Sequence, residues 1–537
     1  MKPIRVIFEF DSVADARESV ALAVALSMLE ARDEAILTLA ELETPTAEHA
    51  EELAGICLRM AGGRPLPEIS LLGPAEAAAV QADLRVPGDS DALSRARSVL
   101  LLHDLASHRG NDTRAAADLR AQRDRAIRHR DDHTPDGTPL TVVVIAQVQS
   151  TWSAVASVCD ELARRPGVTV EVVAIESQHD IRSGTTRDFV AAQGYEPRDL
   201  EWLRRQYEEP SSGVGLALFY DPWDGLRPEV ASAVHAAEAG VRTVYFPYSP
   251  NAAAGEKMES MSYDLPTHRV AWRIYVRSGQ QKAMFDRFCF VGGDDVRVLG
   301  TPKLDRVLDL QQPCPPEWRD ATQGRPVVLW NPHFSIGSDG WSTFNLYASQ
   351  MLDFFAARDD VCLILRPHFR LFRDLRLMGE RGGAIVDYIE QVAQNNENIV
   401  IDLDPDYRAA FAQADVLVSD LSSLLTEFFV TGKPVLYLHR EDGPGINDDA
   451  EYFLACDVAA CWADVERFLD DVVAGRDGGR ARRKLALAKH FAYEDGRSSV
   501  RIVDDLLTAI ARERHAARAD QAREVVDSVV PGSKGTA

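Results

Sequence analysis

The sequence predicts an α/β protein in which two Rossmann-like domains face a cleft, with a small additional α/β domain at the N-terminus. Three observations predict this architecture. The chain of 537 residues is longer than one hydrophobic core usually encloses. Two series of short, continuous apolar runs alternate with helical stretches, as buried parallel strands do. A Pro- and Gln-rich segment at 310–326 separates the two series and is predicted to connect the domains.

Residues 1–135 form the predicted N-terminal α/β accessory domain and charged linker. Its apolar runs predict strands at 4–10 and 34–40 and helices at 13–31 and 46–62. Residues 110–138 are dense in Arg, Asp and His and end in TPDGTP. This polarity predicts a solvated helix followed by a linker.

The first Rossmann-like domain is predicted at 138–312 and the second at 325–490. The predicted strands of the first domain are LTVVVIA, VTVEVVAI, GLALFY, VRTVYF and WRIYVRS. Those of the second domain are RPVVLWNPH, VCLILRPH, NIVIDL, ADVLVSD and KPVLYL. A C-terminal helix follows at 491–515, and the polar segment 516–537 is predicted to be a disordered tail.

The composition excludes several classes of protein. A formal net charge of −24 argues against nucleic-acid binding, which needs a Lys- and Arg-rich surface. No apolar run approaches the roughly 18 residues of a membrane span, and the N-terminal run reads as a strand rather than a secretory signal. Seven cysteines without a repeated metal spacing favour a reducing, cytoplasmic location.

The stretch ADVLVSDLSSLLTEFFVTGKPVLYL, residues 414–438, carries the strongest candidate site. Asp420, Ser422 and Ser423 lie in the turn between a buried strand and a helix, where ligands of open α/β sheets bind. Free amides and hydroxyls there are suited to a diphosphate. Glu427, one turn into the helix, is within reach of a ribose or polyol hydroxyl. A structural reading, in which the serines only cap the helix, remains open.

Two histidines end predicted strands of the second domain. His333 and His368 each lie beside a proline, and His suits acid–base work at neutral pH. Arg366 lies two residues before His368, and strand alternation places both side chains on one side. This arrangement favours a phosphate site over a core.

Five segments together resemble the CDP-glycerol:polyol glycerophosphotransferases of teichoic acid synthesis, over roughly residues 140–510. DLSSLLTEFF is similar to the family's D-Y-S-S-x-x-x-D-F signature, with Leu421 for Tyr and Glu427 for Asp. LGTPKLD is similar to G-x-P-R-x-D, with Lys303 in place of Arg. The remaining three segments are WNPHFSIGSDGWSTF, LRPHF and EDGRSSVR.

The resemblance implies a GT-B type glycosyltransferase fold, with an acceptor-side first domain and a donor-side second domain. It implies transfer of glycerol phosphate, or a related polyol phosphate, from a CDP-linked donor to a cell-envelope or capsular polymer, with release of CMP. Asp420, Ser422, Ser423, Arg366 and Glu427 would then bind the donor. His333 and His368 would be catalytic, and Lys303 and Tyr248 would serve the acceptor side or a phosphate.

The family's His-Gly of the first domain is missing here. The matching region reads VYFPYSPNAAAGEKM, in which Tyr248 stands near the expected His, and a phenol is a poor base at neutral pH. His333 is one alternative base. A nucleotide-sugar glycosyltransferase or epimerase of the same fold, or a catalytically degenerate binding protein, remains an alternative function.

The resemblance predicts no cofactor apart from the CDP-polyol substrate. The absence of an Asp-x-Asp motif leaves a metal requirement open. The predicted partners are a nucleotide-diphosphate donor and a polyol-phosphate or glycan acceptor, with a lipid-linked acceptor and peripheral contact at the inner membrane face left open. The sequence does not indicate an oligomeric state.

Overall fold

The computed structural model describes most of the chain from residue 113 to residue 529, together with three strands near the N-terminus. Side chains are described from residue 116 to residue 516. Within these limits the description omits residues 177–184, 249–251, 256–258, 260–261, 309–310, 337–339, 405, 442 and 444.

The N-terminal strands form a small parallel sheet in the order β1-β2-β3. They are β1 (Arg5–Phe10), β2 (Glu34–Leu39) and β3 (Glu68–Leu71). The strands predicted at 4–10 and 34–40 are confirmed, while β3 was not predicted. The helices predicted at 13–31 and 46–62 lie outside the described residues.

Helix α1 (Thr113–His133) confirms the helix predicted within 110–138, but one face of it packs against the first large domain, so the expectation that it is solvated is wrong for that face. Arg130 is 2% exposed, and its guanidinium donates to the carbonyls of Tyr207, Val214 and Ala239, among others. Burial of Arg is tolerated here because its donors are satisfied by carbonyl oxygens. Gly240 (φ +75°) permits the close approach, since a Cβ there would lie 2.3 Å from the Ala126 carbonyl oxygen.

The first Rossmann-like domain contains a seven-stranded parallel sheet in the order β10-β9-β8-β7-β4-β5-β6. Its strands are β4 (Leu140–Ala146), β5 (Val168–Ala174), β6 (Pro197–Arg198), β7 (Val214–Phe219), β8 (Arg242–Tyr245), β9 (Arg273–Val276) and β10 (Val296–Val298). The helices among them are α2 (Ala156–Ala163), α3 (Thr186–Ala192), α4 (Leu200–Glu208), α5 (Ala233–Glu238), α6 (Pro266–Val270), α7 (Gly279–Phe288) and α8 (Pro302–Val307).

The second domain contains a six-stranded parallel sheet in the order β13-β12-β11-β14-β15-β16. Its strands are β11 (Val327–Asn331), β12 (Cys362–Leu365), β13 (Ile399–Ile401), β14 (Val416–Ser419), β15 (Val435–Leu438) and β16 (Asp457–Ala459). Its helices are α9 (Arg319–Thr322), which leads in from the connection, α10 (Phe344–Ala356), α11 (Leu371–Leu377), α12 (Glu380–Asn395), α13 (Arg408–Gln413), α14 (Ser423–Phe429), α15 (Trp462–Val473) and α16 (Arg480–His490).

The C-terminal helix α17 (Ser498–Val529) returns to the first domain. Ile502, Val503 and Leu506 are fully buried in the same core cluster as strand β4. Gly300 (φ +97°) allows the contact, because a Cβ there would lie 2.4 Å from the Ser498 hydroxyl oxygen. The helix begins later than predicted, and its backbone continues to Val529 through most of the segment predicted to be disordered. Residues 530–537 lie outside the described residues.

The two parallel sheets, covered by helices on both faces, confirm the predicted fold class. In the part of the chain that the structure describes, no helix combines the length and the apolarity that crossing a membrane requires.

Candidate functional site

The candidate site lies where the strand order of the second sheet reverses. Strands β11 and β14 are neighbours although β12 and β13 come between them in the chain. Asn331 pairs with Ser419 at their carboxyl ends, so the residues that follow both strands meet at this point. Ligands of open α/β sheets bind in the crevice at such a reversal.

Asp420 is wholly buried and holds the loop after β11 in place. Its Oδ2 accepts from the His333 amide at 2.7 Å and from the Ser342 hydroxyl at 3.0 Å. Its Oδ1 accepts from the Thr343 amide at 3.0 Å and from the Thr343 hydroxyl. The sequence predicts donor binding by Asp420. The structure corrects this to a positioning role, because both carboxylate oxygens are engaged within the protein.

His333 and His368 lie side by side, with ring centroids 5.0 Å apart. We call them the imidazole pair. His333 is 7% exposed, whereas His368 is half-buried. Phe334 packs against both rings, and the Arg370 guanidinium lies 4.0 Å above the Phe334 ring. The two strand ends thus bring together the two predicted histidines and add a cation that the sequence did not single out.

Hydrogen bonds define the tautomers of the imidazole pair. The Nδ1 atom of His333 accepts from the Trp341 indole at 2.6 Å and from the Ser335 amide at 3.2 Å. The same indole nitrogen lies 3.2 Å from Nε2, but the shorter contact and the second donor assign the acceptor to Nδ1. The Nδ1 atom of His368 accepts from the Arg370 amide at 3.2 Å. An Nδ1 that accepts carries no proton, so each neutral ring carries its proton on Nε2. Burial and the neighbouring His368 and Arg370 lower the pKa of His333 to about 2, so this ring stays neutral.

Ser422 and Ser423 begin helix α14. Ser422 is the N-cap, accepting from the Leu425 amide at 3.4 Å, and its hydroxyl also donates to Asn331 Oδ1 at 3.1 Å. Ser423 is half-buried in the first turn. The structure therefore contains the capping arrangement, and both serines also lie next to the strand reversal.

Arg366 does not share a free surface with His368, contrary to the arrangement inferred from strand alternation. Strand β12 ends at Leu365, so the alternation does not extend to these residues. The Arg366 guanidinium is 10% exposed, forms an ion pair with Asp402 and donates to the Asp404 carbonyl at 2.6 Å. The positive charge of Arg366 is therefore paired within the second domain.

Lys303 and Glu427 form an ion pair across the cleft, and we call them the cleft pair. Lys303 Nζ, on α8 of the first domain, lies 2.5 Å from Glu427 Oε1, on α14 of the second. Their side chains are 9% and 3% exposed. Lys303 Nζ also donates to the Tyr248 carbonyl at 3.0 Å. The sequence assigned Glu427 to the donor and Lys303 to the acceptor side or a phosphate, whereas the structure pairs them directly.

A narrow cavity between the domains adjoins the cleft pair. Its walls include Tyr248, Arg277, Gln281, Thr301, Lys303 and Glu427. Burial and the Asp221 charge raise the pKa of the Tyr248 phenol, which stays protonated at neutral pH. This agrees with the inference that Tyr248 is a poor base.

Several residues that contact the candidate site residues were not identified from the sequence. Trp341 fixes the His333 tautomer, and Asp402 takes up the Arg366 charge. Tyr407 lies beside Glu427, and burial together with the Glu427 carboxylate raises its pKa. Trp341 stands within the WNPHFSIGSDGWSTF segment and could have been singled out there. The other two come from separate parts of the chain, and no pattern connects them with their partners.

The described residues contain no group of three or more His, Cys, Asp and Glu side chains arranged to hold a metal ion.

Comparisons with known proteins agree with the resemblance seen in the sequence. Residues 257–508 match the family model described as CDP-Glycerol:Poly(glycerophosphate) glycerophosphotransferase. The teichoic acid ribitol-phosphate polymerase TarK of Staphylococcus aureus is 23% identical over 253 residues. The match covers 45% of this chain and 46% of TarK, so the chain spans about half the length of the curated relative it matches.

Solved structures show a related architecture. A Listeria monocytogenes protein assigned as a UDP-N-acetylglucosamine 2-epimerase gives a TM-score of 0.51 at 12% identity, covering 70% of this chain and 97% of its own. The wall teichoic acid polymerase TagF, soaked with CDPG, gives a TM-score of 0.44 at 14% identity, and the match covers 78% of this chain and 99% of TagF. Staphylococcus aureus MnaA with UDP gives a TM-score of 0.48 at 13% identity, and the match covers 69% of this chain and 97% of MnaA. At such low identity the first of these likenesses shows the shared fold alone, and the predicted GT-B type architecture is confirmed.

Proposed function

Because residues 257–508 form a divergent member of the CDP-glycerol:poly(glycerophosphate) glycerophosphotransferase family, we propose that the chain transfers glycerol phosphate, or a related polyol phosphate, from a CDP-linked donor. The acceptor is a hydroxyl of a cell-envelope or capsular polymer, and CMP is the leaving group. The observation that carries the proposal is the imidazole pair at the strand reversal of the second sheet.

The imidazole pair suits a developing phosphoryl charge. Phosphoryl transfer depends mainly on positioning and on donors aimed at the phosphate oxygens. Both rings carry Nε2–H donors, and the pKa of about 2 keeps His333 neutral across the working pH range. In this proposal the two N–H groups donate to the β-phosphate oxygens of the donor, and Arg370 adds positive charge beside them.

The half-buried serines at the start of α14 support donor binding at the same place. The Ser422 hydroxyl is already held by Asn331 and by the helix, so its role is to shape the turn. Ser423 has a half-buried side chain next to it and is the better candidate for direct contact with the diphosphate. Asp420 contributes by fixing the loop that carries His333.

The proposed setting is the inner face of the cell envelope, where a polymer acceptor is reached from the cytoplasm. A lipid-linked acceptor and peripheral contact with the membrane are parts of this proposal. Both of these parts rest only on the resemblance to the family.

The test is acceptor-dependent release of CMP. Purified protein is incubated with CDP-glycerol and a glycerol-phosphate primer, and CMP is quantified by chromatography, with UDP-N-acetylglucosamine in parallel. We expect CMP release that rises with primer concentration. Release of UDP alone would identify a nucleotide-sugar enzyme, and thermal stabilisation by CDP-glycerol without turnover would identify a binding protein.

A further inference from the structure

Attack of a hydroxyl on phosphorus releases a proton, and the groups already assigned to the proposed reaction are poorly placed to accept it. In the imidazole pair both Nδ1 lone pairs accept hydrogen bonds from the protein, and both Nε2 atoms carry protons. The Tyr248 phenol, held protonated by its raised pKa, has no charge with which to draw a proton. The site therefore needs another acceptor.

Glu427 has an unused acceptor atom. Its Oε1 faces Lys303 Nζ at 2.5 Å, and the Tyr407 phenol lies beside the carboxylate. Its Oε2 is nevertheless buried and makes no hydrogen bond of acceptable geometry with the described residues. Leaving a buried carboxylate oxygen unpaired is costly, because water or a donor would otherwise satisfy it. An atom in this state is available to a donor that a ligand brings.

The position of Glu427 also suits an incoming hydroxyl. The carboxylate is part of the wall of the narrow interdomain cavity, facing Tyr248 and Thr301 of the first domain. The resemblance assigns that domain to the acceptor. A hydroxyl entering from the first domain would meet Glu427 on α14. The N-cap of this helix, Ser422, donates to Asn331 at the strand reversal.

We propose that Glu427 is the general base that accepts the proton of the attacking hydroxyl. The inference rests on the proposed function. The acceptor oxygen forms a bond to the β-phosphorus while the bond from that phosphorus to the α,β-bridging oxygen breaks. The hydroxyl proton passes to Glu427 Oε2, and CMP leaves with the bridging oxygen. The proton returns to solvent when the cavity opens.

Lys303 is a positioning residue for this base. Its ammonium holds Oε1 in place, while its second hydrogen bond, to the Tyr248 carbonyl, fixes it to the first domain. A carboxylate of this kind performs the same task in protein kinases, where an Asp accepts the proton of the substrate hydroxyl. Because the two partners come from different domains, the base depends on how the domains are positioned.

The test compares Glu427→Gln, Glu427→Ala and Glu427→Asp in the CMP-release assay, using the full chain. Glu427→Gln keeps the shape but removes the acceptor, and we expect kcat to fall by about 10²–10⁴-fold with the donor KM within about threefold. We expect added formate to restore part of the rate of Glu427→Ala and none of that of Glu427→Gln. Glu427→Asp keeps a carboxylate and is expected to exceed the Gln variant by at least about tenfold.

The matched control is Glu171→Gln, which removes an ion pair of 2.7 Å with Arg198 at the far edge of the first sheet. It is expected to retain the unmodified rate. If the unmodified chain releases no CMP from any CDP-polyol, the proposed function itself fails. If that chain is active and Glu427→Gln keeps its rate, or Glu427→Asp is no better than Gln, the general-base role is overturned. If Glu427→Ala loses donor affinity in parallel with rate and formate has no effect, the carboxylate serves binding and the proposal fails.

Discussion

His333 shows how neighbours decide what one side chain can do. A free imidazole is the usual base at neutral pH, and strand-end position alone favours that role. Here the Trp341 indole and the Ser335 amide occupy Nδ1, and burial removes the charged form. The neutral ring is therefore set both by local contacts, from Ser335 and Trp341, and by His368 and Arg370 from a distant part of the chain.

Replacement of His333 by Gln and by Ala separates the two roles. Gln supplies an N–H near the position of Nε2 but cannot act as a base, whereas Ala supplies neither. We therefore expect His333→Gln to retain more than about a tenth of kcat and His333→Ala to lose about 10²–10³-fold, as for removal of one oxyanion donor. Because the pKa of His333 is about 2, the acid side of the pH–rate profile should not change in His333→Gln. Equal losses in both variants, with a changed acid limb, would show that His333 is a base after all.

Among the secondary-structure elements, helix α1 shows most clearly how charged side chains can stabilise the fold rather than face solvent. Arg130 donates to carbonyls at the ends of α4 and α5 and at the first residue of β7, and so joins three elements of the first domain. Asp131 on the next position takes part in an ion pair with the buried Arg242. A helix with this many arginines is held by the first domain because its charges meet partners there.

Arg130→Ala is expected to destabilise the first domain by about 3–5 kcal/mol, since several buried carbonyls lose their donor at once. Urea denaturation followed by tryptophan fluorescence measures the change. Arg128→Ala on the exposed face of the same helix is the control and should shift stability by less than about 0.5 kcal/mol. Similar, small effects of both variants would mean that α1 is not docked as described.

The strands of the two large sheets could be predicted because each central strand is a continuous apolar run. The strands that escaped, β6, β10 and β16, have only two or three residues and lie at or near sheet edges, where burial is weaker. Helix α1 was misjudged because its composition is polar, and composition does not reveal that carbonyl oxygens elsewhere will accept from its arginines.

The features of the candidate site likewise fall into those that a local sequence pattern predicts and those that depend on the folded structure. Signals within one segment, such as the strand–turn–helix at Ser419–Ser423, correctly predict the local structure that carries the candidate site. Pairings between distant segments could not be foreseen. Lys303 with Glu427 and Arg366 with Asp402 depend on how helices and domains meet, and each decides whether a charge is free for a substrate.

At the scale of the whole molecule, a second ion pair joins the two domains. Arg277, after β9, bonds both carboxylate oxygens of Asp449 at 2.9 and 3.0 Å and also the Asp449 carbonyl. The side chains are 4% and 0% exposed, and the Arg277 guanidinium lies over the Tyr452 and Phe491 rings. Such a buried pair fixes the relative position of the domains when intact and is costly when broken.

Asp449→Ala leaves the Arg277 charge buried without its partner, and we expect a loss of about 3–5 kcal/mol together with faster amide exchange at Asp448–Ala455. The double variant Arg277→Met with Asp449→Leu removes both charges and should recover most of the stability. Hydrogen exchange with mass spectrometry and thermal unfolding measure both. Unchanged exchange in Asp449→Ala would show that the pair does not hold the domains together.

The return of helix α17 to the first domain has a consequence for synthesis on the ribosome. The core around β4 needs Ile502, Val503, Leu506 and Ile510, which leave the exit tunnel only after the entire second domain has been made. Part of the apolar surface of the nascent first domain therefore stays uncovered while a stretch of chain longer than that domain itself is synthesised. Its final folding step therefore follows synthesis of the second domain, and until then we expect the growing chain to expose apolar surface that chaperones can bind.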